Sequence, residues 1–228
     1  AGFILMSLQL NLQQLTDTLT ESKQLSEQLV GEQQAVEERS KDLERRVNQI
    51  QTAAEISSSL ASILDPQELL QHVVNLVQSR FELYYVGVYL LDDLKRYAIL
   101  EAGSGEIGKL MMEEKHQLAV GGSSLVGWAA ANNRPRVTHD ISQETVRYKN
   151  PNLPLTNSEL ALPLAIGNQV QGAISVQSST LHAFDDNDIA VLKSIADSLA
   201  IALENARLFQ QFEASLKEIQ QLNRQYLS

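Results

Sequence analysis

The order of apolar and polar positions divides the chain into three stretches. From about Leu8 to Leu64 an apolar or small residue recurs every seventh position: Leu8, Leu15, Ser22, Leu29, Val36, Leu43, Ile50, Ser57 and Leu64. With these at d, the a positions are Leu12, Leu19, Ser26, Gln33, Ser40, Val47, Ala54 and Ala61. The stretch has no proline and one glycine, Gly31. So narrow a stripe, sustained this far, predicts a coiled-coil seam rather than one face of a globular helix. At 1.5 Å per residue it predicts a helix roughly 85 Å long. The middle layers, Ser22, Ser26, Gln33 and Ser40, each forgo about 1–3 kcal/mol of burial relative to a branched aliphatic. In a parallel dimer Arg39 faces Glu44 favourably and Glu32 faces Glu37 with like charge. Taken singly the weak layers read as a tolerant spacer, and taken together as a two-state signalling element.

The second stretch opens at Asp65-Pro66-Gln67-Glu68. Asp65 suits the N-cap, Pro66 the first helical position, and Glu68 closes a loose capping box. Leu69, Leu70, Val73, Val74 and Val77 follow at helical spacing. After Phe81 the period becomes two. A strand over 85–91 carries Val86, Val88 and Leu90 on one face and Tyr85, Gly87, Tyr89 and Leu91 on the other. Further strands are predicted over 96–102, 117–120, 136–138, 160–166 and 170–177. The last two are joined by a short hairpin at Gly167-Asn168-Gln169. A short helix is predicted over 123–132.

The third stretch is another long helix, capped by Asp185 or Asp186. Ile189, Leu192, Ile195, Ala196, Leu199 and Leu203 make a broad face to lie on the sheet. Beyond Glu204 the stripe narrows to Phe209, Leu216 and Asn223 at a, with Phe212, Ile219 and Tyr226 at d. The helix therefore changes role along its length, from packing a domain to leaving it as a coiled coil. The expected homodimer seam is Leu12, Leu15, Leu19, Leu29, Val36, Leu43, Val47 and Ile50, then Phe209, Phe212, Leu216 and Ile219.

Composition narrows the chemistry. The 228 residues hold no cysteine, four histidines and a formal net charge of −10. Without cysteine there are no disulfides, thiolate zinc sites, thiol nucleophiles or thioether-linked chromophores. An acidic chain is also a poor match for phosphate backbones, so no nucleic acid is expected as a partner. There is neither a signal peptide nor an apolar run of spanning length. Two readings fit the greasy start, Ala1 to Met6: the tail of an upstream membrane helix, or added residues before a buried helix start.

Particular motifs carry a resemblance. They are Ala54-Glu55-Ile56-Ser57, Leu64-Asp65-Pro66-Gln67-Glu68-Leu69-Leu70, Val88-Tyr89-Leu90-Leu91-Asp92 and Ser124-Leu125-Val126-Gly127-Trp128-Ala129-Ala130. Downstream come Ser158-Glu159-Leu160-Ala161-Leu162-Pro163-Leu164, Gly172-Ala173-Ile174-Ser175-Val176-Gln177, Phe184-Asp185-Asp186-Asn187-Asp188 and Leu203-Glu204-Asn205-Ala206-Arg207-Leu208. From Ile56 to Phe209 the chain resembles a GAF domain of bacterial multidomain signalling proteins, sensor histidine kinases among them. The resemblance implies an α+β fold, an antiparallel sheet with terminal helices on one face and a small-molecule pocket on the other. Long coiled-coil helices precede and follow it. The expected division is a long helix over 1–64, a sensor domain over 65–205 and a coiled-coil extension over 206–228.

Candidate chemistry is sparse. Gly103-Ser104-Gly105-Glu106-Ile107-Gly108 matches a dinucleotide fingerprint, but no parallel βαβ unit or ribose-binding acid follows, so it reads as a flexible inter-strand loop. His72, His116, His139 and His182 show no metal spacing. His72 and His182 read as surface residues, and Trp128 as a packing residue. Some relatives ligate haem through histidine, which makes His139 or His116 the candidate axial ligand. Relatives that bind cyclic nucleotides carry Asn-Lys where this chain has Gln177-Ser178, and bilin attachment or methionine-sulfoxide reduction needs cysteine. The ligand expected instead is a small anion or polar metabolite touching Arg134, His139, Arg147, Tyr148 or Asn150, with Tyr89 beneath. An empty pocket in a domain kept for dimerisation fits equally.

No nucleophile–base pair, metal cluster or phosphate loop marks an enzyme. The expectation is a cytoplasmic sensory or relay module, homodimeric, passing a conformational signal to an output domain such as a histidine kinase. Its link to a membrane, if any, runs through an upstream transmembrane helix. A free-standing metabolite- or haem-binding domain and a ligand-free dimerisation module are the alternatives.

Overall fold

The computed structural model describes residues 31–41, 54–60, 62–143 and 150–226, with single positions between 19 and 51; for 222–226 it describes the backbone alone. The chain divides into two compact units, 1–48 and 49–228. In the first, residues 31–41 are helical and exposed throughout. Leu19, Leu29, Val36, Leu43 and Val47 are helical, with their large apolar side chains in solvent. Leu12, Leu15 and Ile50 of the expected seam lie outside the described residues, as does the greasy start. Among the described residues no helix is long and apolar enough to cross a membrane.

The second unit is a six-stranded antiparallel sheet with helices on both faces. Its strands are β1 (Tyr85–Leu91), β2 (Tyr97–Gly103), β3 (Gln117–Ala119), β4 (Arg136–Thr138), β5 (Ser158–Ile166) and β6 (Gln169–Ser178). Their spatial order is β3-β2-β1-β6-β5-β4. The helices are α1 (Pro66–Arg80), α2 (Gly105–Glu113), α3 (Leu125–Asn132) and α4 (Asp186–Tyr226).

The period-two alternation sorts the sheet into two cores. Val86, Val88 and Leu90 of β1, Leu160, Leu162 and Leu164 of β5, and Ile174 and Val176 of β6 all point to one side. There they meet the apolar stripe of α1 and the broad face of α4, which includes Leu199 and Leu203. This is the terminal-helix face that the sequence predicts. Burying one such side chain contributes roughly 1.5–3 kcal/mol. α1 starts where the cap signal places it: Asp65 Oδ1 accepts a hydrogen bond from the Glu68 amide at 2.8 Å. The helix over 54–60 buries Ile56 and Leu60 in the same core. That pair is one position off the seven-residue stripe, whose Leu64 stays 45% exposed. This turn therefore packs on its own domain.

On the opposite face lie Tyr85, Tyr89, Leu100 and Leu118, covered by Met111 of α2 and by Leu125, Val126 and Ala129 of α3. Here one expectation fails. Residues 105–113 are a helix, α2, entered from Ser104, and not a flexible loop. The glycines serve packing. A Cβ on Gly108 would overlap the Gly103 carbonyl, so the helix can lie on the end of β2 only without one. Gly105 takes φ +66°, a left-handed conformation that costs glycine little. The helix returns to an antiparallel strand, β3, so no βαβ unit forms and the dinucleotide reading stays excluded.

Candidate functional site

Between the sheet and the start of α3 is a partly open cavity, with about 300 Å³ of unfilled space when its mouth is included. Its floor is the second face of the sheet: Tyr89 from β1, Gln177 from β6 and Glu159 from β5. The register explains the grouping. Gln177 pairs with Tyr85 on one side and Glu159 on the other, so odd-numbered positions of all three strands share this face. The roof is Ser124, Leu125 and Val126 at the start of α3, and the sides are His116, Leu118 and Asn150.

The floor carries a buried polar chain. Thr156 Oγ1 donates to Gln177 Oε1 at 2.6 Å, Gln177 Nε2 donates to Ser175 Oγ at 3.2 Å, and Ser175 Oγ donates to Glu159 Oε1 at 2.9 Å. Thr156, Ser175, Gln177 and Glu159 are all buried, so every link sits in a low-dielectric setting where a connected network also fixes side-chain positions. Among the described lining residues, Glu159 is the acid, and none is Lys or Arg.

The roof is set by a cap. Ser124 Oγ accepts from the Gly127 amide at 3.0 Å, starting α3 directly over the cavity. His116 meets Tyr89 edge to face, ring centroids 6.1 Å apart. Burial holds the His116 imidazole below its ordinary pKa, opposed by the nearby Glu114 charge. Burial pushes the Tyr85 phenol up, opposed by its hydrogen bond with Tyr89. At neutral pH these rings are uncharged. Asn150 is held by its own turn: its Oδ1 accepts from the Asn152 amide at 3.0 Å.

The lowered His116 pKa has a consequence for stability. As pH falls below about 6.5 the unfolded chain takes up this proton first, so the native state loses stability between that pH and the lower folded value. The urea midpoint is expected to fall from pH 7 to pH 5, and His116→Gln to flatten that slope. An unchanged slope in the variant would refute the assignment.

The sequence-predicted residues separate. Tyr89 and Asn150 line the cavity. Arg134 is exposed beyond α3, and His139 is exposed in the turn after β4. The His139 ring stacks on that of His182, centroids 5.4 Å apart and 12° from parallel, away from the cavity. His72 is exposed, as expected. Arg147 and Tyr148 lie outside the described residues. Trp128 is half-buried under the Arg136 guanidinium, which lies 5.3 Å from its ring centroid. Glu159, Gln177, Ser124 and the three apolar lining residues were not among the ligand contacts expected from the sequence. The available signal was the alternation itself: with Leu160, Leu162 and Leu164 buried on one side, Glu159 must face the other. A haem fits poorly here, because His139 is elsewhere and His116 opens onto a small cavity floored by Glu159 and Gln177. Among the described residues no group of three His, Cys, Asp or Glu is placed to hold a metal ion.

The family model of the GAF domain matches residues 63–204. The chain belongs to the GAF domain family. A GAF domain of a phosphoenolpyruvate-protein phosphotransferase from Coxiella burnetii superposes with a TM-score of 0.65 at 19% identity, covering 73% of this chain and 98% of that one. The free methionine-R-sulfoxide reductase of Neisseria meningitidis, solved with its substrate, gives 0.62 at 21% identity over 72% and 93%. At these identities the likeness shows the fold. In sequence, the DNA-binding transcriptional activator HyfR of Escherichia coli K12 is 24% identical over 188 residues, which is 80% of this chain. The chain spans only 28% of that protein's length. The GAF fold thus occurs in regulatory proteins and in enzymes alike.

Proposed function

We propose that this GAF domain is the sensory and relay module of a bacterial signalling protein. In this reading it dimerises through parallel helices and passes a conformational signal, set by a small polar ligand, to an output domain of a longer polypeptide. One observation carries the reading: β5 stands between cavity and exit helix. Its Glu159 lines the cavity, while Leu160, Leu162 and Leu164 on its other face pack in the core that holds α4. A ligand that shifts β5 therefore presses on the helix that leaves the domain.

The module is regulatory rather than catalytic in itself. The chain has no cysteine, so thiol-based reduction of a methionine sulfoxide is not open to it. The output is a histidine kinase or, as the name of the HyfR relative suggests, a transcription-activating domain. A charged anion suits the described cavity lining poorly, because that lining holds an acid, Glu159, and no Lys or Arg. A small neutral or hydrogen-bond-donating metabolite suits it better. The setting is the cytoplasm, free or behind an upstream membrane helix.

Native mass spectrometry of the purified chain, with sedimentation at tens of micromolar, tests the reading. A homodimer is expected, with a small molecule lost on collisional activation. A clean monomer at that concentration would overturn the relay.

A further inference from the structure

The residues that open β5 hold two parts of the domain at once. Thr156 and Glu159 are the two ends of the polar chain under the cavity. Between them, Asn157 and Ser158 hold the connection that leads from β6 into α4. The Asn157 amide donates to the Ser178 carbonyl at 2.8 Å, and its side-chain Nδ2 donates to the Ser179 carbonyl at 2.6 Å. Ser158 Oγ donates to the Thr180 carbonyl at 2.7 Å. Successive carbonyls, from the last residue of β6 onward, are thus taken by two neighbouring residues. Residues 179–185 are neither helix nor strand, so these bonds decide where the connection lies. It is also held further along. His182 donates its amide to the His139 carbonyl at 3.0 Å and takes φ +53°, a region that a residue with a Cβ keeps only where its surroundings hold it. Phe184 is then buried in the core facing α4. Asp185 and Asp188 close the first turn of that helix, each accepting from the other's amide.

We infer that residues 156–159 act as a coupling strap, carrying a change at the cavity floor through Asn157 and Ser158 to the first turns of α4. Neighbouring side chains of a strand leave on opposite faces of the sheet. Glu159 therefore reaches the cavity while Ser158, fully buried, reaches the other side. A displacement of Glu159 moves Ser158 with it. Leaving a buried donor without its acceptor costs more than moving an irregular connection, so the connection follows the strand. Asn157 and Ser158 are positioning residues, since neither lines the cavity. This inference rests on the relay proposed above and adds a point of entry: the start of α4, ahead of the turns that pack on the middle of β5.

Ser175→Ala tests the coupling, because it breaks the polar chain in its middle without changing charge. Amide proton–nitrogen spectra of the full chain read α4 in two windows, Ile189 to Lys193 at its start and Ile195 to Leu203 where it packs on the sheet. Ser175→Ala is expected to displace the resonances of the first window. In an Asn157→Asp background that displacement is expected to fall by more than half. Asn157→Asp is nearly isosteric, replaces the Nδ2 donor with an oxygen, and lies at an exposed position that tolerates the change. An Asn157 with a merely structural role would shift resonances by itself and leave the Ser175→Ala displacement at full size, which would overturn the strap. Displacement confined to the second window would overturn the strap and leave the relay through β5 standing. Displacement in neither window would overturn both.

Discussion

A chain carrying Leu203→Asp is expected not to fold, whereas one carrying Leu208→Asp is expected to keep its fold and to lose the self-association proposed above. The two sites are five residues apart on one helix, yet Leu203 is fully buried in the α4-facing core and Leu208 is 53% exposed. The first change forfeits roughly 1.5–3 kcal/mol of apolar burial and adds several kcal/mol for an unpaired charge in that core. Together these approach the whole stability of a domain this size, about 5–15 kcal/mol. Protonating the carboxyl lowers the cost without removing it, since a buried hydroxyl still needs a partner. Far-ultraviolet circular dichroism and amide proton dispersion read the fold, and sedimentation reads the association. A folded Leu203→Asp chain would mean that α4 does not pack as described.

The two-faced sheet was legible because each strand states its alternation in its own residues: Val86, Val88 and Leu90 against Tyr85 and Tyr89. The cap at Asp65 was legible for the same reason, since the hydrogen bond that makes it spans three residues. The helix α2 was not. Its two glycines, Gly105 and Gly108, are poor helix formers taken locally, and what favours the helix is contact with β2, which the local sequence cannot display. Arg134 was expected at the cavity as one of the few basic residues near it, and His139 because the resemblance implies a pocket lined by its loop. The cavity instead takes Glu159 from the start of β5 and Gln177 from the end of β6. Glu159 and Gln177 come together only through a register that pairs residues 18 positions apart in sequence.

Gly127→Ala is expected to destabilise the domain by about 1–3 kcal/mol or more and to close off the cavity roof. Helix α3 begins over the cavity with Ser124, Leu125 and Val126, and Gly127 completes its first turn. A Cβ there would overlap the Ala119 carbonyl at the end of β3 and sit 2.9 Å from Ser124 Oγ. Neither neighbour can yield easily. Ser124 Oγ is the acceptor that caps the helix, and Gly121 donates its amide to the Gly127 carbonyl at 2.8 Å, tying the same turn back to the loop after β3. The helix must therefore move away from β3, taking Leu125 and Val126 with it. Alanine is ordinarily the better helix former by about 1 kcal/mol, so propensity alone predicts a stabilised variant. The opposite sign isolates the close approach of backbone to backbone. Urea denaturation measures the loss, and the chemical shifts of Leu118, Leu125 and Val126 methyl groups report the roof. A variant as stable as the parent, with those shifts unmoved, would show that α3 does not sit on β3 as closely as drawn.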